Sequence, residues 1–95
     1  MSEEQARQVI FDLATKRFKD AKIIDVTVKE DTGWDGDPIL RVRVIYETPN
    51  ERLDAPTMMS FKHCLWLKFE EMEIDAFPIT SYISSRDAKD AGMIA

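Results

Sequence analysis

The chain has almost nothing with which to build a covalent scaffold: Cys64 is the single cysteine in 95 residues. One thiol cannot close an intrachain disulfide, which excludes the stapled secreted domains and points to a reducing compartment. Glycine and proline are equally scarce, three and four residues, so long flexible linkers and low-complexity segments are excluded. No apolar run approaches the ~20 residues of a membrane-spanning helix. The first residues, Met1-Ser2-Glu3-Glu4-Gln5, lack the basic-then-apolar order of a signal peptide. A cytoplasmic protein with no membrane association is the expectation. Histidine is nearly absent too. His63 has no second histidine with which to complete a metal site or a catalytic triad. The sequence contains no P-loop, dinucleotide fingerprint, Cys-x-x-Cys or Gly-x-Ser-x-Gly, so neither an enzyme nor a cofactor is expected.

What is present balances a globular domain. Hydrophobic residues make up 44% and charged residues 33%, enough apolar surface for one core. The length fits a single domain. The formal net charge is −5. Such a surface repels phosphate backbones, which disfavours nucleic acid as a partner and suits solubility or a basic protein.

Periodicity divides the chain. Ala6, Val9, Ile10, Leu13 and Ala14 recur at helical spacing, predicting a helix from Glu3 to Lys19. Ser2 is placed to cap it, with Gln5 three residues on. Lys22–Lys29 alternates, with Ile24, Val26 and Val28 on one side, as a half-buried strand does. Ile39–Glu47 alternates likewise, with Leu40, Val42, Val44 and Tyr46 sharing a face. The two strands read as an antiparallel hairpin around a long loop, Glu30–Pro38, with Arg41 and Arg43 set to pair with Asp25 and Glu47. After a polar stretch, Thr48–Arg52, Asp54 is the natural N-cap of a second helix running to about Glu73, with Pro56 in its first turn. Phe77–Ser84 is a third strand. Pro78 suits its start or an edge position. Residues 1–84 then form one α+β domain in the order α-β-β-α-β, a three-stranded sheet with two helices on one face. Residues 85–95 form a C-terminal tail with room for a short helix capped by Ser84 or Ser85 and ended by Gly92, leaving Met93-Ile94-Ala95 loose.

The second helix carries too much apolar surface for that arrangement. At ~100° per residue, Met58, Phe61, Leu65, Phe69 and Met72 form one narrow face for the sheet. Met59, His63, Trp66 and Leu67 fall on the flank and back, where a two-layer domain wants polar residues. Two readings compete. In one, the first helix covers this flank, with Trp66 against Phe11 or Phe18. Otherwise the flank is a dimer or partner interface, of the kind in which Trp and Met are enriched.

Trp34 raises the same question in the hairpin loop: it folds back on the sheet edge, or it anchors a partner together with Asp35 and Asp37. Asp31, Asp35 and Asp37 partly echo a calcium loop, but Gly33 and Val42 stand where that loop needs ligands, so turn chemistry is the plainer reading. His63 and Cys64 are adjacent on a helix and do not face each other. The late acidic group Glu70, Glu71, Glu73 and Asp75 reads as a solvated face that also suits a basic partner.

The element order resembles KH-like RNA-binding and ribosome-assembly modules in topology. No Gly-x-x-Gly clamp lies between the helices, and the net charge has the wrong sign. Three stretches, Asp35-Gly-Asp-Pro-Ile-Leu-Arg41, Leu53-Asp-Ala55 and Phe77-Pro-Ile79, are similar in order to those of small uncharacterised bacterial proteins. Some of these are encoded next to a second small protein, in the manner of toxin–antitoxin pairs. The resemblance implies a bacterial cytoplasmic protein that binds a partner; it carries no catalytic residue. The leading expectation is a non-catalytic protein-binding module, antitoxin-like or an inhibitor, using Trp34, Asp35, Asp37, Met59, His63, Trp66 and Leu67 on a protein partner or a homodimer. The alternatives are an RNA- or ribosome-associated module using Lys22, Lys29, Arg41 and Arg43, and a small metal-binding protein using the Asp-rich loop.

Overall fold

The computed structural model describes residues 3–49 and 52–92. The expected roles of Ser2 as a cap and of Met93-Ile94-Ala95 as a loose end lie outside the described residues. The elements are α1 (Glu3–Arg17), β1 (Lys22–Thr32), β2 (Pro38–Glu47), α2 (Ala55–Glu71), β3 (Phe77–Ser84) and α3 (Ser85–Asp90). The three strands make one mixed sheet in the order β1-β2-β3. β1 and β2 are antiparallel, while β3 runs parallel to β2. Parallel neighbours need a long crossover, which α2 supplies.

The helices and the sheet meet in one core. Ile10, Ala14 and Phe18 from the first helix and its exit, Phe61, Leu65 and Phe69 from α2, and Leu40, Val42, Val44 and Tyr46 from β2 are all buried together. Phe18 and Phe61 approach to 5.3 Å between ring centroids, and Tyr82 of β3 closes the group, 6.0 Å from Phe18 and 6.5 Å from Phe61. Each such side chain, fully buried, contributes roughly 1.5–3 kcal/mol, which is decisive in a domain this small.

The strand β1 departs from its alternation. The register shifts between Ile23 and Asp25, so Ile23, not Ile24, joins Val26 in the core. A bulge inserts one residue and reverses the faces on one side of it. β1 also runs further than its alternating part. Glu30, Asp31 and Thr32 pair with Leu40, Ile39 and Pro38, which shortens the hairpin loop to Gly33–Asp37. Asp31 rather than Asp25 takes Arg41, at 2.8 Å, and Asp25 takes Arg7 of α1, at 3.2 Å.

Asp54 caps α2, its carboxylate accepting from the Thr57 N–H at 3.1 Å. At the other end Ile74 N–H donates to the Phe69 carbonyl at 2.9 Å and Glu73 N–H to Glu70 at 3.2 Å, the double closure of a Schellman motif. Glu73 holds the left-handed position, φ 58°, that glycine usually fills.

Ser84 caps α3, accepting from the Asp87 N–H at 3.2 Å. The short helix packs on β2 and β3. Ile45 and Ala88 are buried but stand apart from the main core. Ile45 alternates with Val44 and Tyr46, so α3 covers one end of the sheet's reverse face.

Candidate docking surface

The core takes one face of α2 and leaves the rest to solvent. Phe61, Leu65 and Phe69 are buried, and Met58 and Met72 are half-buried beside them. About 100° round the helix, Met59 is 75% exposed and Trp66 50% exposed. Leu67 is half-exposed and His63 exposed. Spacings of 4 from Met59 to His63 and from His63 to Leu67, and of 3 from His63 to Trp66, place the four in one broad stripe. α1 packs against α2, and Cys64 and Lys68 on the far flank are half-buried. The flank that carries Trp66 therefore faces away from α1.

Trp66 leans the other way, over the outer edge of the sheet. Its ring meets Phe77 edge-on, with centroids 5.9 Å apart and planes at 70°. Phe77 is itself exposed, so the stripe continues from the helix onto the start of β3. The structure brings together Met59, His63, Trp66 and Leu67, and it adds Phe77; Ile79, also exposed, lies beside Arg41 on the reverse face of the sheet. Trp66 touches neither Phe11 nor Phe18 through its ring; Phe18 is occupied by Phe61 and Tyr82.

β3 is also an edge strand. Half of its backbone donors and acceptors point away from β2. The two edges of the sheet are built differently. β1 carries Lys22, Asp25, Lys29, Glu30 and Asp31 and a bulge, the usual protection against a further strand. β3 reads Phe-Pro-Ile-Thr-Ser-Tyr-Ile-Ser, with no charge. Pro78 alone interrupts it, at its second residue.

Compared with protein-family models, curated proteins and solved structures, the chain matches none. Ile39, Leu40 and Arg41 lie beside Phe77, Pro78 and Ile79 in the sheet.

The hairpin loop stands apart from this surface. Trp34 is fully exposed; it does not fold back, and it does not join the Trp66 stripe. Asp35 accepts from the Asp37 N–H at 3.2 Å, and the Asp37 carbonyl accepts from the Gly33 N–H at 2.8 Å. Gly36 takes φ 90°, as a tight loop requires. The Arg41 guanidinium, followed by the Thr32 N–H, holds the Asp31 carboxyl below the usual carboxylate range. The Asp31 carboxylate is held by Arg41 and that of Asp35 by a backbone N–H, and among the described residues no group of three acidic, histidine or cysteine side chains converges on a metal-sized space.

The reverse face of the sheet lines up Lys29, Arg41 and Arg43, since Lys29 pairs with Arg41 and Thr27 with Arg43. Asp31 neutralises Arg41, and Lys22 lies at the far end beside Glu47. The basic strip is therefore short and interrupted. No helix is long and apolar enough to cross a membrane among the described residues.

His63, Trp66 and Leu67 were legible from the helical pattern because exposure follows from angle. Phe77 and Ile79 were not, since Pro78 fits a strand start as well as an edge and does not by itself place β3 at the edge. An uncharged strand with large apolar residues at alternate positions, next to a helix with an apolar flank, is the signal that marks them.

Proposed function

We propose that this chain is a non-catalytic protein-binding module, and that a protein partner or a second copy of the chain docks on the outer flank of α2 and the edge of β3; an antitoxin-like or inhibitor role would then use the remaining surface. One observation carries the reading: Met59, Trp66 and Leu67 on α2 and Phe77 at the edge of the sheet stand exposed, with the Trp66 and Phe77 rings in contact, in a domain whose core is already complete without them. Isolated exposed apolar residues are ordinary, but a contiguous patch with a Trp near its centre is the composition of an interface. His63, Lys62 and Glu70 supply a polar rim, as interfaces of this kind have.

The reading is tested with a photo-crosslinking residue placed at Met59 or Leu67, and at Arg86 as a control, in cells of the source organism. Met59 and Leu67 are expected to give a discrete protein adduct that Arg86 does not give. Absence of any protein adduct from both flank positions overturns the reading.

A further inference from the structure

We infer that the occupant of this surface is a second copy of the chain, joined by antiparallel pairing of β3 with β3 across a two-fold axis into one continuous six-stranded sheet. The inference rests on the docking surface proposed above and adds its occupant.

Three observations favour a copy over a different protein. The first is the absence of charge along β3. An edge selected for a foreign partner gains its specificity from complementary charges, and this one has none to complement. A neutral strand related to itself by a two-fold axis meets no like-charge pair, even though each chain carries a net charge of −5.

The second is the contrast between the two edges. β1 is protected by five charged side chains and a bulge, so further growth of the sheet is blocked there. With one edge closed and the other open, pairing stops at two chains, as a closed isologous dimer demands. Pro78 lacks an N–H and limits the pairing to the residues after it, Ile79–Ser84.

The third is area and placement. The exposed parts of Met59, Trp66 and Phe77 on the helix side of the edge and of Ile79 on its reverse side amount to roughly 400 Å², taking about 200 Å² for a large side chain. The strand backbone and the rim residues raise the total toward the ~800 Å² per partner of a standard interface. A two-fold axis perpendicular to the sheet keeps both α2 helices on the same face. The flank bearing Trp66 then faces its symmetry mate directly above the paired strands. The helix flank and the strand edge are covered in one contact.

Light scattering of the purified chain across a thousandfold dilution, together with cysteine cross-linking, tests this. The expected mass at high concentration is twice the chain's 11.0 kDa. Ile79→Lys, which places a charge on an already exposed edge position, is expected to weaken association about tenfold or more, with Thr27→Lys on β1 leaving it unchanged. In a Cys64→Ser background, one cysteine at a time is placed at positions 79 to 83. Two-fold pairing puts one of these opposite itself, so that position is expected to form a disulfide with its own copy, while Thr27→Cys does not. A monomer at every concentration overturns the inference, as does a dimer that cross-links through Thr27→Cys and not through β3. A monomer whose Met59 or Leu67 photo-crosslinks a different protein removes the second copy and leaves the docking surface standing. A monomer with no adduct removes both.

Discussion

Trp66 of α2 and Phe77 of β3 meet edge-to-face, 5.9 Å between ring centroids, with both rings about half exposed. The pair joins a helix to the edge of the sheet without belonging to the core. Its energetics and its exposure therefore separate surface function from folding.

Trp66→Ala is expected to cost the isolated protomer about 1–2 kcal/mol, because the ring is only half buried and its contact is a single edge-to-face pair. Phe61→Ala, at a site with no solvent exposure, is expected to cost about 3–5 kcal/mol. Urea unfolding of both variants at low concentration checks the split. Equal losses would place Trp66 in the core.

Tyr82 presents the reverse case. Its ring packs between Phe18 and Phe61, but its hydroxyl is buried with no hydrogen bond of good geometry. Burial raises the phenol above its ordinary pKa, with Thr80 acting in the opposite direction. Tyr82→Phe keeps the ring and removes the orphaned group. Stability is expected to be unchanged or to rise by up to about 1 kcal/mol, read as a higher denaturation midpoint at unchanged slope.

Glu73 ends α2 in the left-handed region, at a cost of about 1–2 kcal/mol for a residue with a Cβ. Glycine removes that cost and gives back part of it through a more flexible unfolded chain. Glu73→Gly is expected to stabilise the protein by about 0.5–1 kcal/mol, and Glu73→Ala to leave the strain in place. Thermal melts of the two variants compare them.

Much of the architecture was legible in the sequence. The helical spacing of Ile10 and Ala14, the alternation from Leu40 to Tyr46 and the cap at Asp54 each follow from local rules, and each leads to the observed element. Ile24 is not the core residue that the alternation predicts, because a bulge leaves no mark in a pattern of apolar residues: Ile23 and Ile24 are interchangeable until the register is known. The polar run Glu30, Asp31 and Thr32 predicts a longer hairpin loop than the structure has, and it hides Asp31 as the partner of Arg41 at that end of the ladder. The strand order, which makes β3 an edge and completes the candidate surface, depends on where α2 crosses the sheet, and no local pattern encodes that.

The Asp31–Arg41 pair carries a pH signature. The Asp31 carboxyl lies below its ordinary pKa in the folded chain, so folding favours its ionised form. Its contribution is present above the unfolded value, near pH 4, and is lost as pH falls through the folded value. Asp31→Asn is expected to flatten the acid side of the Tm–pH profile below about pH 4 and to leave its shape near neutrality unchanged.

The most direct measurement of the central claim is oxidative footprinting of Met59 and Trp66, in dilute purified protein and in the cells that make it, referenced to half-buried Met72. If another chain sits on the α2 flank and the β3 edge, both side chains oxidise several-fold more slowly in the cell than in dilute solution. Equal rates in the two settings would mean that the surface stays bare, contradicting the account.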